Sequence, residues 1–321
     1  MTGEPNPEVA RETEPTGSGN HSIRDEVDLG LLAREIWRCR WLVFASATVA
    51  TLLAWAFVTF LPDTYRAEAL IASAQSDGRA LSGLVGQFGG LASLAGVNLK
   101  DKGIAKIEIA VETLKSRKFL TKVIRDHEIL VPLFAGERWD SKLEKLILDE
   151  KIYNEKTKTW VRKVNGNKSA KPSDQEAFKR FKAIFSVRET NKSGFYKVYI
   201  DYISPVMAKN WVDWILNDLN ETMRSQDIKE SKANIQFLQT QLRKTDVSNI
   251  QNVFFTLIEK NLQKVMLANS KKEYVFRTID PAIQAEYKHA PNRLLIVLLG
   301  FLAGMMISLI FVVSRYSIVN R

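Results

Sequence analysis

The chain has 321 residues, 45% of them hydrophobic and 26% charged, with three histidines, one cysteine and a formal net charge of +10. A single cysteine excludes a disulfide framework, and His21, His127 and His289 are too scattered to form a metal-ligand motif. The balance of apolar and charged residues is that of a folded protein, but it is spread unevenly along the chain.

Residues 1–40 begin polar, with Pro5, Pro7 and Pro15, a composition that buries too little apolar surface to fold. They read as a largely disordered cytoplasmic tail. Towards its end Leu29, Leu32, Ile36 and Trp37 recur at helical spacing, which predicts a short amphipathic helix. Residues 41–61 (WLVFASATVATLLAWAFVTFL) carry no charge and predict a first transmembrane helix, since about 20 residues cross the roughly 30 Å hydrocarbon core. Ala54-Trp55-Ala56 resembles a signal cleavage site, but the apolar run continues past it to Leu61, so the segment reads as an uncleaved anchor. Residues 294–313 predict the second transmembrane helix, and 314–321 a short cytoplasmic tail.

Arg34, Arg38 and Arg40 precede the first span and Arg315 follows the second, so both ends are expected inside. Lys288 and Arg293 oppose that orientation weakly, Asp63 supports it, and long loops translocate largely regardless of charge. Residues 62–293 are then an extracytoplasmic domain with 39 Lys and Arg against 28 Asp and Glu. Nucleic acid is not an expected partner outside the membrane; anionic glycan or membrane lipid is.

Within that domain Tyr65–Ile71 and Tyr274–Ile279 read as strands, each a few residues from a span, and are expected to be neighbours in one sheet. A hairpin is expected from 183–188 to 195–200 across Asn191-Lys192-Ser193-Gly194. Apolar spacing from Ile107 to Ile124 predicts one helix ending before Pro132. Ser204-Pro205 opens a long helical arm, about 205–270, whose stripe runs through Trp211, Ile215, Leu219, Met223, Ile228, Ile235 and Leu242. A stop and restart is expected near 245–249, with Ser248 and Gln251 as a capping box. An arm of that length exceeds what a small domain can cover, so Ile228, Ile235 and Leu242 are candidate contacts between subunits of a homo-oligomer.

No phosphate loop, nucleophile elbow or metal-ligand spacing is present, so neither an enzyme nor a cofactor site is expected. Two features stand out. Gly300-x-x-x-Gly304 suits close packing of the second span, with Ala50 and Ala54 as counterparts in the first. Lys151–Lys182 holds ten basic residues and three acidic ones, with Tyr153 and Trp160 among them. Lys156, Lys158, Trp160, Arg162 and Lys163 are its candidate contacts to a glycan or other anion. A solvated surface is the plainer reading of that run.

The run Phe276-Arg277-Thr278-Ile279-Asp280-Pro281-Ala282, then Ala290-Pro291-Asn292-Arg293 and a glycine-bearing span, resembles the chain length determinant (Wzz) family of polysaccharide co-polymerases. Leu81-Ser82-Gly83-Leu84, Gly89–Gly96, Leu114–Leu120 and Pro62 support the resemblance. It implies two transmembrane helices flanking a periplasmic α/β domain with a long projecting helix, an α+β membrane protein of the bacterial inner membrane. It also implies a homo-oligomer that works with a polysaccharide polymerase on a lipid-linked or growing glycan, regulating the modal length of O-antigen or a related polymer. Pro281 and Pro291 mark a membrane-proximal linker, and Ala285 stands where relatives often have a proline. Only Ser314–Arg321 follow the second span, so the kinase-bearing branch is not expected. An inner-membrane adaptor of capsule or polysaccharide export is the alternative.

Overall fold

The computed structural model describes residues 37, 40–74, 99–164, 166, 169–190 and 194–319. The polar tail, most of the amphipathic segment before the first span and the 81–96 motif lie outside the described residues. The chain divides into two units, one of residues 1–54 with 296–321 and the other of 55–295.

The first unit is built on α1 (Arg40–Thr59) and α8 (Arg293–Val319). Both are long and apolar enough to cross a membrane. Leu42, Phe44, Leu52 and Leu53 of α1, and Leu298, Leu302, Met306 and Ile310 of α8, are exposed, leaving apolar surface that water disfavours. The second helix begins one residue before the expected span and runs past its expected end to Val319.

The second unit is a four-stranded antiparallel sheet packed against helices. The strands are β1 (Tyr65–Ser73), β6 (Phe185–Thr190), β7 (Phe195–Tyr202) and β8 (Phe276–Asp280), in the order β6-β7-β1-β8. The two strands that adjoin the apolar segments are indeed paired, antiparallel, with Ile71 opposite Thr278. Alternation of side chains turns Ala67, Ala69 and Ile71 of β1 to one face, with Val198, Ile200 and Tyr202 of β7. On the opposite face of the same strand pair, Arg66 forks onto Asp201 with two hydrogen bonds of 2.6 Å.

Helices close the core. α2 (Leu99–Lys115) and α3 (Arg117–Asp126) replace the single helix expected from Ile107 to Ile124. Ser116 breaks it: its backbone is extended and its hydroxyl accepts the Phe119 N–H, capping a new helix. The apolar stripe shifts phase at the break: on a continuous helix Leu120, Val123 and Ile124 would lie roughly opposite Ile107, Val111 and Leu114, and the new start at Ser116 turns both sets inward. Pro132 likewise lies inside a short helix, α4 (Leu130–Ala135), in the first turn where no intrahelical donor is needed. Two ribbons follow, β2 (Gly136–Asp140) with β3 (Lys145–Leu148), and β4 (Tyr153–Asn154) with β5 (Thr159–Trp160). α5 (Asp174–Ile184) starts from a capping box of Ser173 and Glu176.

The long helix, α6 (Pro205–Leu242), is capped by Ser204 and extends about 57 Å at 1.5 Å per residue. Its first half is core: Ala208, Trp211, Val212, Ile215 and Leu219 are almost wholly buried. Beyond Met223 it is not a solitary arm. α7 (Ser248–Ser270) returns along it as an antiparallel hairpin. The restart has no capping box: Val247 is the N-cap, Ser248 is already helical, and the Gln251 amide instead donates to the Thr245 carbonyl at 2.7 Å.

Candidate functional sites

Around Gly300 and Gly304 the two apolar helices approach closely. A Cβ at Gly300 would lie 2.5 Å from the Ala54 Cβ, and one at Gly304 would lie 2.6 Å from the Ala50 Cβ and 2.9 Å from the Ala47 Cα. The structure thus brings all four small residues of the sequence reading together. The Ser46 hydroxyl adds a hydrogen bond of 3.2 Å to the Gly304 carbonyl, a polar contact between the helices.

The linker of Pro281 and Pro291 is fixed by its neighbours. Ala282, after Pro281, is buried, and the Thr64 N–H donates to the Ala290 carbonyl at 2.8 Å while the His289 N–H donates to Thr64. Asp63 gathers Arg293 at 2.9 Å and Lys288 at 3.7 Å. The two cations that weigh against the expected orientation are therefore paired with the acid that favours it. Tyr287 and Ile283 of the same linker are exposed.

The base of the hairpin is held by polar groups that periodicity does not reveal. Asn220 is buried; its side-chain carbonyl accepts the N–H groups of Tyr274, Val275 and Phe276, and its amide donates to the Phe276 carbonyl. About two turns further on, Asp227 receives Lys106 at 2.7 Å and the Tyr274 hydroxyl at 2.6 Å, with Lys264 at 3.5 Å. Burial alone would raise the Asp227 carboxyl, but the hydrogen bonds from Lys106 and Tyr274 outweigh it and hold the group below the ordinary carboxylate range. His127 stacks on Trp214 with centroids 4.5 Å apart and meets Asp218 at 2.9 Å.

Along the hairpin Ile228, Ile235 and Leu242 are half-buried. They share a heptad stripe with buried Ser231 and Leu238, the stripe that faces α7. Other apolar residues of the hairpin are exposed, among them Phe237 of α6 and Val253, Phe255, Leu262, Met266 and Leu267 of α7.

The basic residues named from the sequence do not form one surface. Lys156 and Lys158 are exposed in the β4–β5 turn, where the Asn154 side chain accepts the Lys156 and Thr157 N–H groups. Trp160 is half-buried, in T-shaped contact with Phe134 and Tyr153, so it packs within the fold rather than standing clear of it. Arg162 is committed internally, to Glu176 at 2.7 Å and to the Ala170 carbonyl at 2.6 Å. Lys163 instead lines an open cleft with Lys151 and Arg180, floored by Phe134, Ile152 and Val161. Lys151 and Arg180 belong to the same basic run, and nothing in its spacing sets them apart. Pairing across the ribbon, where the Val161 N–H donates to the Ile152 carbonyl, is what sets Lys151 beside Arg162 and Lys163.

Among the described residues no group of three or more His, Cys, Asp or Glu is placed to hold a metal ion. What the geometry offers is packing surfaces and cation-lined concavities.

Comparison with known proteins matches two stretches of the chain, one towards each end. Residues 25–127 match the family "Chain length determinant protein" (Wzz), a stretch that includes α1, β1, α2 and α3. Residues 236–317 match the "G-rich domain on putative tyrosine kinase" (GNVR), covering the tip and return of the hairpin, β8, the linker and nearly all of α8. No curated protein matches the chain. Among solved structures, a full-length bacterial polysaccharide co-polymerase aligns at 13% identity and TM-score 0.37, over 92% of this chain and 99% of that one. A fragment of WzzB, a polysaccharide co-polymerase from Salmonella Typhimurium, aligns at 10% identity and TM-score 0.29, over 71% of this chain and 100% of that one. The chain thus carries a chain length determinant (Wzz) domain and, beyond it, a G-rich (GNVR) domain.

Proposed function

We propose that the protein sets the modal length of O-antigen or a related glycan, as an oligomeric co-polymerase of the bacterial inner membrane working with a Wzy-type polymerase. The observation that carries this reading is the match of residues 25–127 to the chain length determinant proteins. The match places the first apolar helix and the strand that follows it within the family's own domain.

In this reading α1 and α8 span the membrane, residues 62–293 face the periplasm, and 1–40 and 314–321 are cytoplasmic. Arg40 and Arg315 at the inner flanks support the orientation. Subunits meet through the helical hairpin, where exposed Phe237, Phe255, Leu262 and Met266 flank the seam that half-buries Ile228, Ile235 and Leu242. The protein performs no bond chemistry on the glycan; it presents a surface to the polymer or to the polymerase.

Deleting the gene and resolving the surface polysaccharide on a gel tests the proposal. The expected result is polymer still made and still displayed, with its modal length lost. An unchanged profile contradicts the proposal, and disappearance of surface polymer points to export instead.

A further inference from the structure

The cleft between the β4–β5 ribbon and α5 is a concavity of about 720 Å³, inside the roughly 300–1,000 Å³ range of small-ligand sites. Lys151, Lys163 and Arg180 line it, and all three are exposed. Among the described residues, none of the three has a carboxylate within ion-pair distance. Arg162, by contrast, is satisfied by Glu176 and a backbone carbonyl, so it shapes the wall without offering its charge.

The backbone that carries the cations is also held in place. The Lys151 N–H donates to the Asp149 carboxylate at 2.8 Å, fixing the turn into the ribbon, and Arg162 ties the outgoing strand next to Lys163 to α5. The Arg180 guanidinium lies over the Phe134 ring, 5.0 Å from its centroid, with Arg162 over the same ring at 5.6 Å. A guanidinium stacked in this way keeps its N–H edge free, the edge that matches a two-oxygen anion. Ile152 and the exposed Val161 supply apolar floor beside it.

Cations above an apolar floor match a sugar ring that carries an oxyanion, the ring's C–H face below and the charge above. We infer that this cleft binds an acidic saccharide through Arg180, Lys163 and Lys151, the anion being a carboxylate or a phosphate on the sugar. The inference rests on the reading of the protein as one that meets a growing glycan, and it names the chemistry of that glycan's recognised unit.

The test is binding to the full-length protein in detergent, without polymerase, of a hexuronate oligosaccharide, a phosphate-bearing oligosaccharide, a neutral oligosaccharide and inorganic phosphate. At least one acidic oligosaccharide should bind, more weakly as salt rises, and the neutral one should bind about tenfold or more less tightly, the scale of a lost charge-assisted contact. Whichever acidic probe binds better assigns the anion as carboxylate or phosphate. Lys163→Glu with Arg180→Glu should lower affinity by about tenfold or more, whereas the same charge change at Lys229→Glu with Lys232→Glu on α6 should stay within about twofold. Arg180→Lys, which keeps the charge and the fold but not the planar fork, should fall in between.

Equal binding of the neutral probe, full competition by inorganic phosphate, or an equal loss in the α6 control overturns the inference. So does failure of both acidic oligosaccharides to bind. If wild type fails to bind while gene deletion still removes the modal length, the cleft inference falls and the length-setting reading stands. If the cleft variant loses binding but restores a normal profile, the cleft binds saccharide and length is set elsewhere.

Discussion

Asn220 is the side chain on which the return of the chain to the sheet depends most. Replacing it with alanine leaves three backbone donors and one acceptor without their partner in a buried place, each such group costing about 1–3 kcal/mol where water cannot reach it. Partial relaxation reduces the total, and Asn220→Ala should destabilise the domain by about 2–4 kcal/mol, measured by chemical denaturation. A loss under about 0.5 kcal/mol would mean that water replaces the amide. Asp227 makes a pH-dependent contribution. Its folded pKa is depressed, so its stabilisation is complete above the unfolded carboxylate value of about 4 and fades as pH falls through the lower folded value. Thermal unfolding of Asp227→Asn should therefore fall well below wild type at neutral pH and converge on it in acid. A gap that does not narrow there would place the effect in packing.

At the scale of elements, the sequence showed what repeats and hid what depends on single contacts. Both apolar helices, the neighbouring β1 and β8, the β6–β7 hairpin and the start of α6 at Ser204 were legible because each carries a period or a cap of its own. The Ser116 break shows only as a slip of phase: Leu114 and Leu120, six residues apart, would point about 120° apart on a continuous helix, and both are buried because a new helix starts at Ser116. The return of α7 along α6 is not legible in the stripe itself. An apolar stripe records that something covers it, and the cover on Ile228, Ile235 and Leu242 is the chain's own next helix. Of the basic candidates, spacing identifies the run, but only tertiary pairing separates Arg162, committed to Glu176, from Lys163, which lines the cleft.

Two predictions follow at this scale. Gly300→Leu with Gly304→Leu cannot be accommodated against Ala54 and Ala50, so it should separate the helices and disturb the length profile at normal expression. A wild-type profile would show that their close packing is dispensable. Phe255→Glu with Met266→Glu, on the outer flank of α7, should leave the domain folded and reduce assembly more than a single charge at Ile235 that leaves the hairpin intact. Unaltered assembly by light scattering in detergent would move the subunit contact off this flank.

For the whole molecule, fusions of a topology reporter at Thr190 and at the C-terminus should report opposite sides of the membrane, and agreement between them would refute the two-span arrangement. The central claim is that length is set without chemistry, by a surface rather than an active site. Its most direct measurement is the product distribution of polymerase-containing membranes from a deletion strain, with and without the purified protein, alongside the protein incubated alone with finished polymer. The account predicts that a modal length returns when the protein is added to the polymerising membranes and that finished polymer alone is left unchanged. Shortening or extension of finished polymer by the protein alone would contradict it.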